Sequence, residues 1–202
     1  MKYPNTELKA TWPVVGGVDY AGSMDEWKNK KGMGDYFALA YVAKLPGGGA
    51  VVVDGVLERC TQADAEIYVR QAQGMWPGWI SAVVEGDGRG EDFIQVLKRN
   101  PGLKIVPMKT GGKGKAERLE RQMGPWLANG TVRVSDADTP FLNELRKELD
   151  LWPLSAHDDA LDAVYWALRG MPEVLSMPVE ESVLPAEMRH KKTNPFAMLG
   201  SR

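Results

Sequence analysis

"DYFALAYVAKLPGGGAVVVDGVLERC", residues 35–60, holds two apolar runs joined by Pro46 and three glycines. Each run has strand length and is rich in Val, Ala and aromatic residues, and a glycine-rich joint of this size is a hairpin signal. Just upstream, "WPVVGGVDYAGS" (12–23) is another short apolar run, ending in Asp19 and a glycine turn. Three strands in succession with short connections predict an antiparallel meander. Downstream the period changes. A helix is expected at 63–76, a strand in "WISAVVEGDGRG" (79–90) ending at Glu85, a helix at 91–102 and a strand at 103–109. A helix at 115–128, a strand at 130–135, a helix at 139–149 and a last helix within "LWPLSAHDDALDAVYWALRG" (151–170) complete the pattern. The expected fold is α/β: a three-strand antiparallel meander extended by parallel strands into a mixed sheet, with helices on both faces. Residues 1–170 form the expected domain. The proline-punctuated, basic stretch 171–202 is expected to be a mostly irregular tail.

The 202 residues suffice for one domain with a sizeable core. Lys+Arg 25 against Asp+Glu 27 is nearly balanced, so any nucleic-acid footprint must be local. A single cysteine, Cys60, excludes an internal disulfide and a cysteine-based zinc site and suits a reducing compartment. No apolar run has the length of a membrane span, and the first residues lack a signal peptide's apolar centre, so a soluble protein is expected.

The last helix begins with His157, Asp158, Asp159 and Asp162. Ser155 and Asp158 fit a capping box, and one acidic residue in a first turn needs no further reason. Three carboxylates repel one another, and a divalent cation would relieve that repulsion. Asp19 and Glu85 stand at the carboxyl ends of their strands, where open α/β sheets build sites. Such carboxylates suit Mg²⁺ or Mn²⁺, and two ions about 3.5–4 Å apart can drive phosphodiester hydrolysis. On a helical wheel Leu161, Val164 and Leu168 mark the core stripe, Asp158 flanks it and Asp159 points nearly opposite, which favours Asp158 as the inward ligand. Asp162 is a candidate outer-shell partner, His157 can orient a carboxylate, and Asp87 reads as a turn residue. "KTGGKGKAERLERQ" (109–122) carries a local basic patch, including Lys109, Lys113, Lys115 and Arg118, and "KNKKG" (28–32) carries a second. Both suit sequence-independent phosphate contacts. The phosphate-loop pattern G-x-x-x-x-G-K-[ST] occurs nowhere in the chain.

The order "VDYAGS", meander, "VVEGDGRG", "KGKAERLE" and "HDDALDA" resembles the nuclease domain of the large terminase subunit of tailed bacteriophages, a member of the RNase H-like superfamily. The resemblance spans about residues 12–169. It implies a metal-dependent endonuclease that cuts concatemeric viral double-stranded DNA during genome packaging, in the host cytoplasm. It implies further that Asp19 bridges two Mg²⁺ or Mn²⁺ ions and that Glu85 and one or both of Asp158 and Asp159 complete the ligands. Lys109, Lys115 and Arg118 would then lie beside DNA. By the same resemblance the partners are the terminase ATPase domain, the portal and the small terminase subunit. Without a nucleotide motif the chain reads as an isolated nuclease domain. Other readings are a RuvC-type resolvase or transposase core, an actin-like nucleotide binder, and a non-catalytic DNA-packaging assembly module.

Overall fold

The computed structural model describes residues 2–20, 36–112, 114–155 and 157–171. The lysine-rich loop 28–32, Lys113 and the tail from residue 172 lie outside the described residues. The strands are β1 (Lys2–Tyr3), β2 (Val14–Tyr20), β3 (Phe37–Lys44), β4 (Ala50–Glu58), β5 (Trp79–Glu85), β6 (Ile105–Met108) and β7 (Val132–Ser135). The helices are α1 (Gln62–Met75), α2 (Arg89–Lys98), a π-helical segment Glu117–Met123 running into α3 (Gly124–Ala128), α4 (Pro140–Leu151) and α5 (Asp159–Arg169). Among the described residues the strands form one mixed sheet in the order β1-β7-β4-β3-β2-β5-β6. β2, β3 and β4 are the antiparallel meander, and β5, β6 and β7 add in parallel, as expected.

Helices cover both faces, which is why β2 and β3 are apolar almost throughout rather than alternating. α4, α5, α3 and the π-helical segment pack on one face, against Val15, Ala38, Ala40 and Val83. α1 and α2 pack on the other, against Val14, Val18, Leu39 and Val84. The β3–β4 hairpin turns through Gly48 and Gly49, at φ 93° and 79°, a region that L side chains avoid. β1 was not anticipated: two residues give no periodicity to read. It is pinned instead by long-range bonds, Asp136 N donating to Tyr3 O (2.9 Å) and Asn5 N to Asp136 Oδ1 (2.7 Å).

The stretch 151–170 is not one helix. α4 runs on to Leu151, and α5 starts only at Asp159. Nor is α5 amphipathic in place: every residue from Asp159 to Leu168 is buried. No helix among the described residues is long and apolar enough to cross a membrane.

Candidate active site

The site starts from two glycines. Gly17 lies on β2 two residues before Asp19, so both face the same side of the sheet. A Cβ on Gly17 would stand 1.9 Å from Ala163 O and 2.3 Å from Ala167 N, so the bare glycine lets α5 lie directly on the strand. Asp19 therefore points to the face that α5 covers. The register Val18↔Val84 between parallel β2 and β5 makes Asp19 and Glu85 the next residue along each strand. Past Glu85 the chain turns tightly: a Cβ on Gly90 would meet Glu85 O at 1.9 Å. Asp87 belongs to this turn, accepting from Thr110 N and Thr110 Oγ1 at 2.7 Å each.

The head of α5 meets these strand ends. Asp159 (6% exposed) and Asp162 (3%) are buried, and Asp19 (9%) is nearly so. Burial holds the Asp19 carboxyl well above its ordinary range, and the charges of Asp162, Asp159 and Glu85 raise it further, against Lys115. Glu85 is also raised, by burial and then against the pull of Arg118. Asp162 is raised by burial although Lys115 and Arg118 oppose it. Four carboxylates thus sit in one another's fields.

One correction to the sequence reading follows. Asp158, favoured by the helical wheel as the inward residue, has the more exposed side chain (27%, against 8% for Asp159). Asp162, the candidate outer-shell partner, is buried beside Lys115 and Arg118. The wheel failed because it assumes a solvent face, and α5 has none. His157 Nδ1 lies 3.8 Å from Asp159 Oδ2, with Tyr36 edge-on to its ring.

The basic patch divides. Lys109 is exposed and pairs with Glu91 at 3.2 Å. Lys115 turns inward, donating to Asp158 Oδ1 and lying 2.6 Å from Asp162 Oδ2. Burial lowers its pKa, but the field of Asp162 and the bonds to both aspartates outweigh that and hold the ammonium charged. Arg118, expected beside DNA, is 6% exposed. Its Nη1 lies 3.9 Å from Glu85 and its Nη2 3.6 Å from Asp162, and its guanidinium stands 5.3 Å and 5.5 Å from the ring centroids of Trp166 and Tyr165. It serves the carboxylates from behind rather than a surface. The π-helical segment places both cations here, Lys115 just before it and Arg118 within it.

One residue was missed. Ser155 does not cap α5, since its hydroxyl donates to His157 O, and Asp158 at the N-cap makes no side-chain cap bond. The cap comes from Glu148 of α4, fully buried, whose Oε1 accepts from Ala160 N (3.3 Å) and Oε2 from Leu161 N (2.8 Å). Burial raises the Glu148 carboxyl to about 8 against these amides, which lower it, and Asp159 and Asp158 add to the rise. Only an acidic residue inside an apolar stripe hints at this in the sequence.

The donors suit a hard cation: acidic oxygens, mostly buried, repelling one another, with Asp162 Oδ1 accepting no hydrogen bond. Among the described residues no three His, Cys, Asp or Glu side chains are gathered as a ready cage. A cation bound by Asp162 would take over the charge that Lys115 now balances.

The fold has known counterparts. The chain superposes on the large terminase nuclease from thermophilic phage G20c with a TM-score of 0.56 and 15% identity, over 80% of this chain and 83% of that one. The fowlpox virus Holliday junction resolvase aligns over 80% of this chain and 99% of that one, with a TM-score of 0.46 and 11% identity. No family model matches the sequence, and no curated protein matches it. The fold is RNase H-like.

Proposed function

We propose that this chain is a divalent-metal-dependent endonuclease that hydrolyses double-stranded DNA, of the kind that cuts concatemeric viral DNA during genome packaging. The observation that carries the reading is that the parallel strand ends set Asp19 beside Glu85 under the head of α5, with Asp19, Asp159 and Asp162 buried and Arg118 lying between Glu85 and Asp162. The RNase H-like fold supports it.

Asp19, Glu85, Asp159 and Asp162, with Asp158 at the rim, are the residues that would hold Mg²⁺ or Mn²⁺. Bound there, such ions lower the pKa of water and stabilise the charge of a leaving oxygen. The protein's own part is electrostatic and positional. Arg118 lies beside Glu85 and Asp162, His157 lies beside Asp159, and Lys115 supplies a positive charge between Asp158 and Asp162. Lys109, with Lys113 and the 28–32 loop, would hold the duplex through its phosphates. The terminase ATPase domain, portal and small subunit are its proposed partners, in the host cytoplasm.

The test is cleavage of supercoiled plasmid with Mn²⁺, Mg²⁺, Ca²⁺ or EDTA, for the wild type and Asp19→Asn. Nicking and linearisation with Mn²⁺ or Mg²⁺, lost in EDTA and in the variant, are expected. A preference for four-way junctions over linear duplex would move the reading to a resolvase. A folded protein inert with every metal would move it to an assembly module.

A further inference from the structure

The geometry points to Glu148 as a positioning residue for the metal site, a role that rests on the proposed ion binding by Asp158, Asp159 and Asp162. It lies on α4, ten to fourteen residues before that cluster. Its two oxygens take two first-turn amides of α5, those of Ala160 and Leu161. A helix start needs acceptors for its unpaired N–H groups, and a side chain at the N-cap normally supplies one. Here Asp158 stands at the N-cap without making that bond. Glu148 does the capping, so the Asp158 carboxylate is left to face Lys115. Because both oxygens are engaged, the bond fixes the rotation and depth of the α5 head, not only its stability. Asp159 and Asp162 bracket the two bonded amides in sequence, so this contact sets where their carboxylates stand relative to Asp19.

The test measures Mn²⁺ affinity by electron paramagnetic resonance on the full chain, well below the unfolding temperature of each variant. Glu148→Leu removes both acceptors at similar volume. Glu148→Gln keeps one carbonyl acceptor. Val69→Ala, on α1 across the sheet, is a control that lowers stability without touching α5. Outer-shell partners of metal ligands typically contribute about 10–100-fold in affinity. Weakening of that size is expected in Glu148→Leu, partial recovery in Glu148→Gln, and an unchanged constant in Val69→Ala. Equal affinity in wild type and both Glu148 variants would overturn the role while leaving the ion site standing. A wild type that binds Mn²⁺ no better than Asp19→Asn would overturn the ion site and this role with it. Failure of both Glu148 variants to fold would also overturn it, showing that the contact builds the domain rather than tunes the ions.

Discussion

Lys115 Nζ lies 2.6 Å from Asp162 Oδ2 and also donates to Asp158, so one ammonium group balances two carboxylates of the α5 head. Removing it leaves those charges to repel. Breaking a buried pair costs about 3–5 kcal/mol, and the 36% exposure of the Lys115 side chain reduces this to about 1–2 kcal/mol. Lys115→Met is therefore expected to melt earlier than the wild type in EDTA. If the carboxylates bind divalent ions, Mn²⁺ takes over the missing charge, and the Mn²⁺-induced rise in melting temperature is larger in the variant. Thermal melts with and without Mn²⁺ check this; an equal rise in both proteins would show that Lys115 and the ion do not share ligands.

Asp19 carries the opposite prediction. Its carboxyl is raised in the folded state, first by burial and then by Asp162, Asp159 and Glu85. The folded state thus keeps a proton that the unfolded chain has released. Such a group contributes stability that is fully present below the ordinary carboxylate pKa of 3.8 and is lost as pH rises through the raised value. Asp19→Asn escapes that loss. In metal-free buffer at pH 7.5 it is expected to be more stable than the wild type, because the raised carboxyl no longer has to ionise. The gap should close as pH falls toward 4. Urea titrations at the two pH values decide it, and a less stable variant at pH 7.5 would refute the repulsion argument. A gain in stability with a loss of Mn²⁺ binding is the usual pattern for a residue kept for function.

Gly17 controls whether the site assembles. Its missing Cβ would meet backbone atoms, Ala163 O and Ala167 N, which cannot swing aside as a side-chain tip can. Gly17→Ala has to push α5 off β2, which costs more than the usual 1–3 kcal/mol of overpacking, so about 3 kcal/mol or above. The same displacement separates Asp19 from Asp159 and Asp162. The expected outcome is a lower melting temperature together with weaker Mn²⁺ binding in the molecules that remain folded. Unchanged ion affinity would mean that the head of α5 is held independently of its body.

What the sequence discloses and what it hides divide along physical lines. Asp19 and Glu85 are legible because a strand end is announced by the turn glycines after it, and the acidic head of α5 because like charges seldom gather without cause. The fold is legible for the same reason: β3 and β4 are long, apolar and joined by Gly48 and Gly49. Depth is the part that pattern reading misses. "ERLERQ" looks like a solvated charged face, yet Arg118 lies beside Tyr165 and Trp166. Glu148 in "NELRKELD" falls on the apolar stripe of its helix, but the sequence does not say what would partner it; it is fully buried because α5 sets its first turn against it. Both cases have one cause: a helix's own residues do not show which neighbour far along the chain will cover them.

The two residues grouped together in the basic patch should therefore behave differently. Lys109 is exposed and pairs with Glu91, itself 60% exposed on the side chain, and a pair of this kind contributes about 0–1 kcal/mol. Lys109→Ala should leave the melting temperature nearly unchanged. If Lys109 meets a DNA phosphate, the variant weakens duplex binding alike for unrelated sequences and lowers the slope of log affinity against log salt by about 1. Arg118 has a side chain only 7% exposed and serves two carboxylates. Arg118→Ala leaves Glu85 and Asp162 facing each other without it, and a loss of about 3–5 kcal/mol is expected. Its salt slope, measured where the variant is still folded, should match the wild type. Melting curves and fluorescence-anisotropy titrations from 50 to about 200 mM salt separate the two. A reduced slope for Arg118→Ala would place its guanidinium on the DNA after all.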